Sequence, residues 1–356
     1  MLLKAIHAKE IAKTLSALLF LAVFLLFPDP CTRAAKDGLN MAMYLVLPSL
    51  FPFSVIAGYL SGRIYVPQFF CRAFRHLTGL PENACSLFVL GVLSGFPVGA
   101  VLIGDAVKNN AITKSIASHL LPLSTLCGPI FMIGVVGGGM LGSYKLGYIL
   151  YGIQLLSLVL VSLLFKGHAP YAPNSAQLVL PKKNLVDAIE KSVSNLIAVC
   201  GFIVFFQVVC QMLLVTGLAE NLCPYPPFLY GLTELSCGCN RIVLSDIPLH
   251  IKAGLLSFFC SFSGFCVMLQ VAHAVRDCGL SLSKYVLYKL CMGVVSFLLS
   301  VLVLRYFPIE TFGLPVKSDS FSFSDSFLVL CYIAFALSTL FLFILRKFMG
   351  HTFDNR

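Results

Sequence analysis

Residues 93–100 read Leu93-Ser94-Gly95-Phe96-Pro97-Val98-Gly99-Ala100, and one apolar segment later comes Leu126-Cys127-Gly128-Pro129-Ile130-Phe131. Both runs put glycine and proline inside stretches hydrophobic enough to sit in a bilayer. Glycine loses the most backbone entropy in a helix, and proline removes an N–H and clashes with the preceding turn, so each run predicts a helix break. Within lipid, the backbone groups freed by a break must face a cavity, a neighbouring helix or a bound solute. Two interrupted helices near membrane mid-depth therefore point to a solute site, as in secondary transporters.

The rest of the chain agrees that lipid is the solvent. It is 58% hydrophobic and 11% charged, with a mean hydropathy of +0.92, and its apolar residues come in long blocks rather than at amphipathic spacing. That leaves no room for a sizeable soluble domain. The net charge of +10 is spread between the blocks instead of forming one patch, which fits topology signals and excludes nucleic acid as the expected partner. Cysteines such as Cys200, Cys210, Cys260, Cys266 and Cys291 lie inside apolar segments, where the residue behaves as a small hydrophobe. Cys237-Gly238-Cys239 lacks a second pair at zinc-site spacing, so neither a metal nor another cofactor is expected.

In chain order, a basic start is followed by a short apolar run at 14–27, ended by Pro28-Asp29-Pro30. With Ala34-Ala35 beyond it this could be a signal peptide, but a first membrane helix is the preferred reading because nothing soluble follows. Blocks at 40–60, 84–104, 117–137 and 146–165 come next, with a basic loop holding Arg63, Arg72, Arg75 and His76 after the first of them. A proline-bearing polar linker then divides the chain, and blocks at 195–218, 226–244, 251–272, 285–307 and 327–345 follow. The expected domains are a basic segment with the first helix at 1–37, a first repeat at 38–166, the linker at 167–186, a second repeat at 187–307, and a loop, last helix and basic tail at 308–356.

The halves resemble each other residue by residue. Leu90-Gly91-Val92-Leu93-Ser94 aligns with Tyr230-Gly231-Leu232-Thr233-Glu234, the stretch to Cys127-Gly128-Pro129 with that to Ser263-Gly264-Phe265, and Tyr148-x-x-Tyr151 with Tyr285-x-x-Tyr288. Charge counting then tests the topology. If all ten blocks span, Lys and Arg divide 13 to 12 between the two sides, which is no bias. If 84–104 and 226–244 are re-entrant hairpins, they divide 18 to 7, the asymmetry that cytoplasmic loops show. Each repeat then crosses an odd number of times. The expected fold is thus an all-α polytopic membrane protein of about ten hydrophobic segments, in two inverted repeats that each hold a re-entrant hairpin and a broken helix.

The order Ser-Gly-Phe-Pro-Val-Gly-Ala at 94–100 followed by Cys-Gly-Pro-Ile-Phe-Met-Ile-Gly at 127–134 resembles the sporulation integral membrane protein family YlbJ, also called SpoVV. That family is similar to the wider nucleoside-recognition or gate-domain group, which includes the spore maturation proteins and resembles concentrative nucleoside transporters. The resemblance covers roughly residues 38 to 305, and Thr125-Leu126-Cys127 stands where the family often has Asn before its Gly-Pro. It implies a multi-pass membrane protein around the forespore that moves dipicolinate, the pyridine dicarboxylate of the spore core, with a nucleoside-type transporter or a non-transporting scaffold as the alternatives. A homo-oligomer or other sporulation membrane proteins are open as partners.

The residues themselves suit a small anionic substrate. Helix N-termini exposed by breaks supply N–H groups with partial positive charge. The candidates are Ser94, Gly95, Pro97, Gly99, Thr125, Gly128 and Pro129 in the first repeat, with Ser236, Gly238, Ser263 and Gly264 in the second. Glu234 is a carboxylate inside an apolar stretch, costly there unless it faces a cavity or partner. It is the candidate for a coupling ion or proton, against a structural role with Arg241 or a helix N-terminus. Asp105 and Asp246 read as solvated hairpin ends, Asn195, Gln207, Gln211 and Gln270 as interhelical hydrogen bonders, and Tyr148, Tyr151, Tyr285 and Tyr288 as interfacial anchors. No zinc-protease motif, Ser-His dyad or phosphate loop stands at convincing spacing, so an enzyme is not expected.

Overall fold

The computed structural model describes residues 2–166 and 181–306, with side chains from Glu10 onward, and among these every regular element is helical. The block at 327–345 lies outside the described residues. The chain divides into two units, Met1–Ser245 with His250–Leu314 and Asp246–Leu249 with Pro315–Arg356, and the first of them carries the hairpins, the breaks and the contacts described below.

Helix α1 (Leu2–Leu26) contains the first apolar run. After it α2 (Pro28–Met41), a wide π-helical turn at Ala42–Val46 and α3 (Leu47–Leu60) run on as one span of 33 residues. Pro28 and Pro30 thus open a helix, since the first turn needs no donated N–H. The expected boundary at 37/38 therefore falls within α2. The basic loop expected after residue 60 is instead helical over Gln68–Thr78 (α4), whose apolar residues share one face and which stops at left-handed Gly79. Next come α5 (Cys85–Ser94), α6 (Val98–Lys108) and α7 (Lys114–Leu123). Beyond α7 an irregular stretch leads into a π-helical segment, Ile130–Met140. Four further long elements can cross a bilayer: α8 (Tyr144–Leu164), α9 (Leu185–Val215), Leu249–Ala274, and α15 (Ser283–Tyr306). Asn184 and Asp187 close a reciprocal capping box at the start of α9. The short helices α10 (Leu218–Leu222), α11 (Pro226–Thr233) and α12 (Leu235–Leu244) stand before the Leu249–Ala274 span, which is divided at Ser263 into α13 (Leu249–Phe262) and α14 (Gly264–Ala274).

Two pairs of short helices fold back on themselves. A methyl group added at Gly99 would lie 3.2 Å from Gly91 Cα and 1.8 Å from the Ser124 carbonyl. Residues eight apart in a straight helix are about 12 Å apart, so α5 and α6 form a hairpin. In the second half, a methyl at Gly238 would lie 2.0 Å from Gly231 Cα, which folds α11 onto α12. The Tyr225 hydroxyl donates to Ser245 Oγ at the base of that hairpin (2.9 Å). Lipid tails are as apolar as leucine, so close packing over small residues, rather than hydrophobic burial, holds such helices together.

The polar loops meet at one end of the unit. Arg63 donates to the Lys183 carbonyl (2.7 Å), Lys183 pairs with Asp105 (2.6 Å), and Lys191 pairs with the other oxygen of Asp105. Lys108 pairs with Asp277 (2.8 Å), and the Lys108 hydrogen bond holds the Asp277 carboxyl below its usual range. Asp105 is therefore a largely buried partner of two lysines, not the solvated hairpin end expected of it.

Candidate functional site

In both halves the hairpin tip sits on the helix break. Residues 124–128 are irregular because Gly128-Pro129 cannot continue α7, and the break is pinned from the hairpin side: the Phe96 N–H donates to the Leu126 carbonyl (2.8 Å). Gly95, at φ +76°, has no space for a side chain, since a methyl there would lie 2.7 Å from the Gly128 nitrogen. Ser94 is buried beside the same glycine, and Pro97 caps α6. In the second half the hairpin also packs on the break. Gly264 lies against the Gly231 and Leu232 carbonyls of α11, and the preceding Ser263 takes φ +82°, a left-handed conformation costly for any residue with a side chain.

The breaks leave polar groups over. Among the described residues, the N–H groups of 125–128 donate to nothing, and the buried Ser124 and Ser263 hydroxyls have no partner. The Thr125 hydroxyl, by contrast, is turned back onto the Leu121 carbonyl (2.7 Å), so it is the Thr125 backbone that faces the break.

Glu234 forms the tip of the second hairpin, 3% exposed, and caps α12. One of its oxygens accepts from the Cys237 N–H (2.6 Å) and from the Gln207 amide of α9 (3.3 Å), and Ser236 adds hydrogen bonds of its own. Of the two structural partners considered for it, the helix N-terminus is present. Arg241 lies instead over the Tyr230 ring, 4.2 Å from its centroid. Gln207 is thus bonded to the candidate coupling residue.

What joins the halves at this level was not singled out in the sequence. Lys289, on α15 and fully buried, donates to the Thr125 carbonyl at the first break (2.7 Å). No carboxylate among the described residues pairs with it. One turn away, the buried Tyr285 hydroxyl faces Thr125 without a well-formed hydrogen bond. The Cys260 thiol of α13 meets those of Cys127 at the first break and Cys239 on α12, so both breaks and the second hairpin converge. A lysine five residues into an apolar block passes as a flanking charge, and that is how Lys289 escaped notice. Tyr285 and Tyr288 are both buried, with the Tyr288 hydroxyl on Ser162 (2.8 Å), and so are not interfacial anchors; Tyr148 is exposed. A narrow crevice beside the first tip brings together Pro97, Asn195, Gln270 and His273. Among the described residues no cluster of His, Cys, Asp or Glu has the arrangement of a metal site.

No family model and no solved structure matches the chain. A sequence match does exist: over 332 aligned residues, covering 78% of this chain and 80% of the other, it is 27% identical to the sporulation integral membrane protein YlbJ of Bacillus subtilis (strain 168). With that similarity and five helices of spanning length among the described residues, the chain is a multi-pass membrane protein.

Proposed function

We propose that this chain is a transporter that moves a small organic anion across a membrane during endospore formation, with dipicolinate as its substrate, by alternating access around the two helix breaks. The sporulation context comes from the name of the Bacillus subtilis protein, and dipicolinate from the motif resemblance. The observation that carries the reading is the pair of hairpin tips seated on breaks that hold unpaired backbone N–H groups and buried, unpartnered hydroxyls. In lipid such groups cost several kcal/mol each unless something satisfies them. Carboxylate oxygens are suitable acceptors for N–H groups at 125–128 and for the start of α14 at Gly264, with Ser263 beside it. In this reading Glu234 takes the coupling cation or proton, the halves are inverted repeats, and the basic loop cluster around Asp105 lies on the cytoplasmic face.

The test is uptake of labelled dipicolinate into proteoliposomes holding the purified protein, beside a labelled nucleoside and a Gly128→Leu/Pro129→Leu variant. Dipicolinate uptake that the double substitution abolishes is the expected result. Nucleoside uptake alone would change the substrate class. If folded protein moves neither solute, the transporter reading gives way to a scaffold or accessory subunit.

A further inference from the structure

We infer that Lys289 and Tyr285 form the anion-selecting element of the site, so that the solute binds with a carboxylate between the Lys289 ammonium and the first helix break. The inference rests on the transport reading and deepens it. An ammonium at this depth is expensive, and charged residues persist within membrane segments where they face a pathway or a partner. Lys289 is completely buried, sits on a spanning helix, and among the described residues makes no ion pair. Its neighbours are the thiols of Cys127 and Cys260 and the Thr125 carbonyl, which accepts at 2.7 Å. An ammonium carries three donors, and that carbonyl takes one.

Tyr285 is independent of that argument. Its hydroxyl is fully buried, faces the Thr125 side chain of the same break, and makes no well-formed hydrogen bond. A purely structural tether from Lys289 to Thr125 would not call for a second, unsatisfied donor one turn along α15. A carboxylate would be met there by the ammonium and the phenol, two donors one turn apart on α15 that face the same residue of the break. An uncharged solute of the same shape gains nothing from the ammonium and leaves it unneutralised. The element therefore selects by charge more than by shape.

The experiment measures equilibrium binding to the purified full-length protein in nanodiscs, with labelled dipicolinate and with its uncharged diamide as probes. Wild type is expected to prefer the dianion. Lys289→Met should lower dipicolinate affinity by tenfold or more, to about the level of the diamide, while Lys289→Arg, which keeps the charge, should retain most of the preference. A Lys289→Met protein that keeps the full preference overturns the inference and leaves the transport reading standing. A wild type that binds neither probe overturns both. If Lys289→Met is not monodisperse, Tyr285→Phe decides: its hydroxyl makes no well-formed hydrogen bond in the protein, so the variant should fold, and dipicolinate binding should weaken about tenfold. Unchanged affinity in that variant overturns the proposal.

Discussion

Gly99 and Gly238 show how little room the hairpins leave. Gly99→Ala would drive a methyl to 1.8 Å from the Ser124 carbonyl, and backbone cannot step aside as a flexible side chain can. We expect a loss of about 1–3 kcal/mol or more, read as a lower melting temperature of the purified protein. Gly152→Ala is the counter-case: the residue sits within α8 and a methyl there meets nothing within 4 Å, so stability should rise by about 0.5–1 kcal/mol. A melting temperature unchanged in Gly99→Ala would mean that α5 and α6 do not pack as described. Glu234→Ala tests the cap. It removes the acceptor of the Cys237 N–H and leaves the buried Gln207 amide short of one, so a loss of about 1–3 kcal/mol is expected. These residues were legible as glycines in apolar blocks and as a lone carboxylate. Their partners were not, because Ser124 and Gln207 come from other elements.

Among the elements, the hairpins and their breaks depend on local chemistry, while the latch between halves depends on long-range packing. Asp105, in the last turn of α6, takes Lys183 from the end of the linker and Lys191 from α9. Asp105→Asn would leave two part-buried lysines competing for a neutral amide. Faster amide hydrogen exchange at 105–113 and 181–191 is expected, with the centre of α9 unaffected. Equal exchange in wild type and variant would show that the latch holds nothing. Asp105 and Asp246 looked alike in sequence because each follows a hairpin. Only the fold shows that α9 passes beside the first of them. The α4 segment escaped for another reason: its arginines suggested a loop, whereas apolar residues one turn apart, such as Phe70 and Phe74, set one face of a helix toward α5 and α8.

For the whole molecule, Arg63, Lys108 and Lys183 lie at segment ends that charge counting places on one side, and this end of the unit is tied together by Arg63–Lys183, Lys183–Asp105 and Lys108–Asp277 contacts. Single cysteines at Lys108 and Lys182, in a cysteine-depleted background, should both resist membrane-impermeant thiol reagents added to intact cells. Labelling of both would overturn the cytoplasmic assignment. The Lys108–Asp277 pair also has a pH signature. Asp277 has a lowered pKa in the folded state, so the pair's contribution is present above the ordinary carboxylate range and is lost as pH falls through the depressed value. Lys108 is shifted up by the same bond, so the contribution persists through neutrality and fades only as pH rises through that raised value. Both groups are half exposed, so the melting-temperature difference between wild type and Asp277→Asn should be small, flat around neutrality, and vanish in acid.

The sequence alone determined that the chain is helical and lives in lipid, and that its helices break at Gly95–Pro97 and Gly128-Pro129. Those outcomes follow from composition and from the backbone chemistry of glycine and proline, which act within a turn. Tertiary structure alone decided what the breaks face. The bond from Lys289 to Thr125 joins residues 164 apart, and the Cys127–Cys260–Cys239 contact joins three elements. No local pattern encodes such meetings. They are fixed by which small residues let which helices approach, and therefore by the packing of the whole unit.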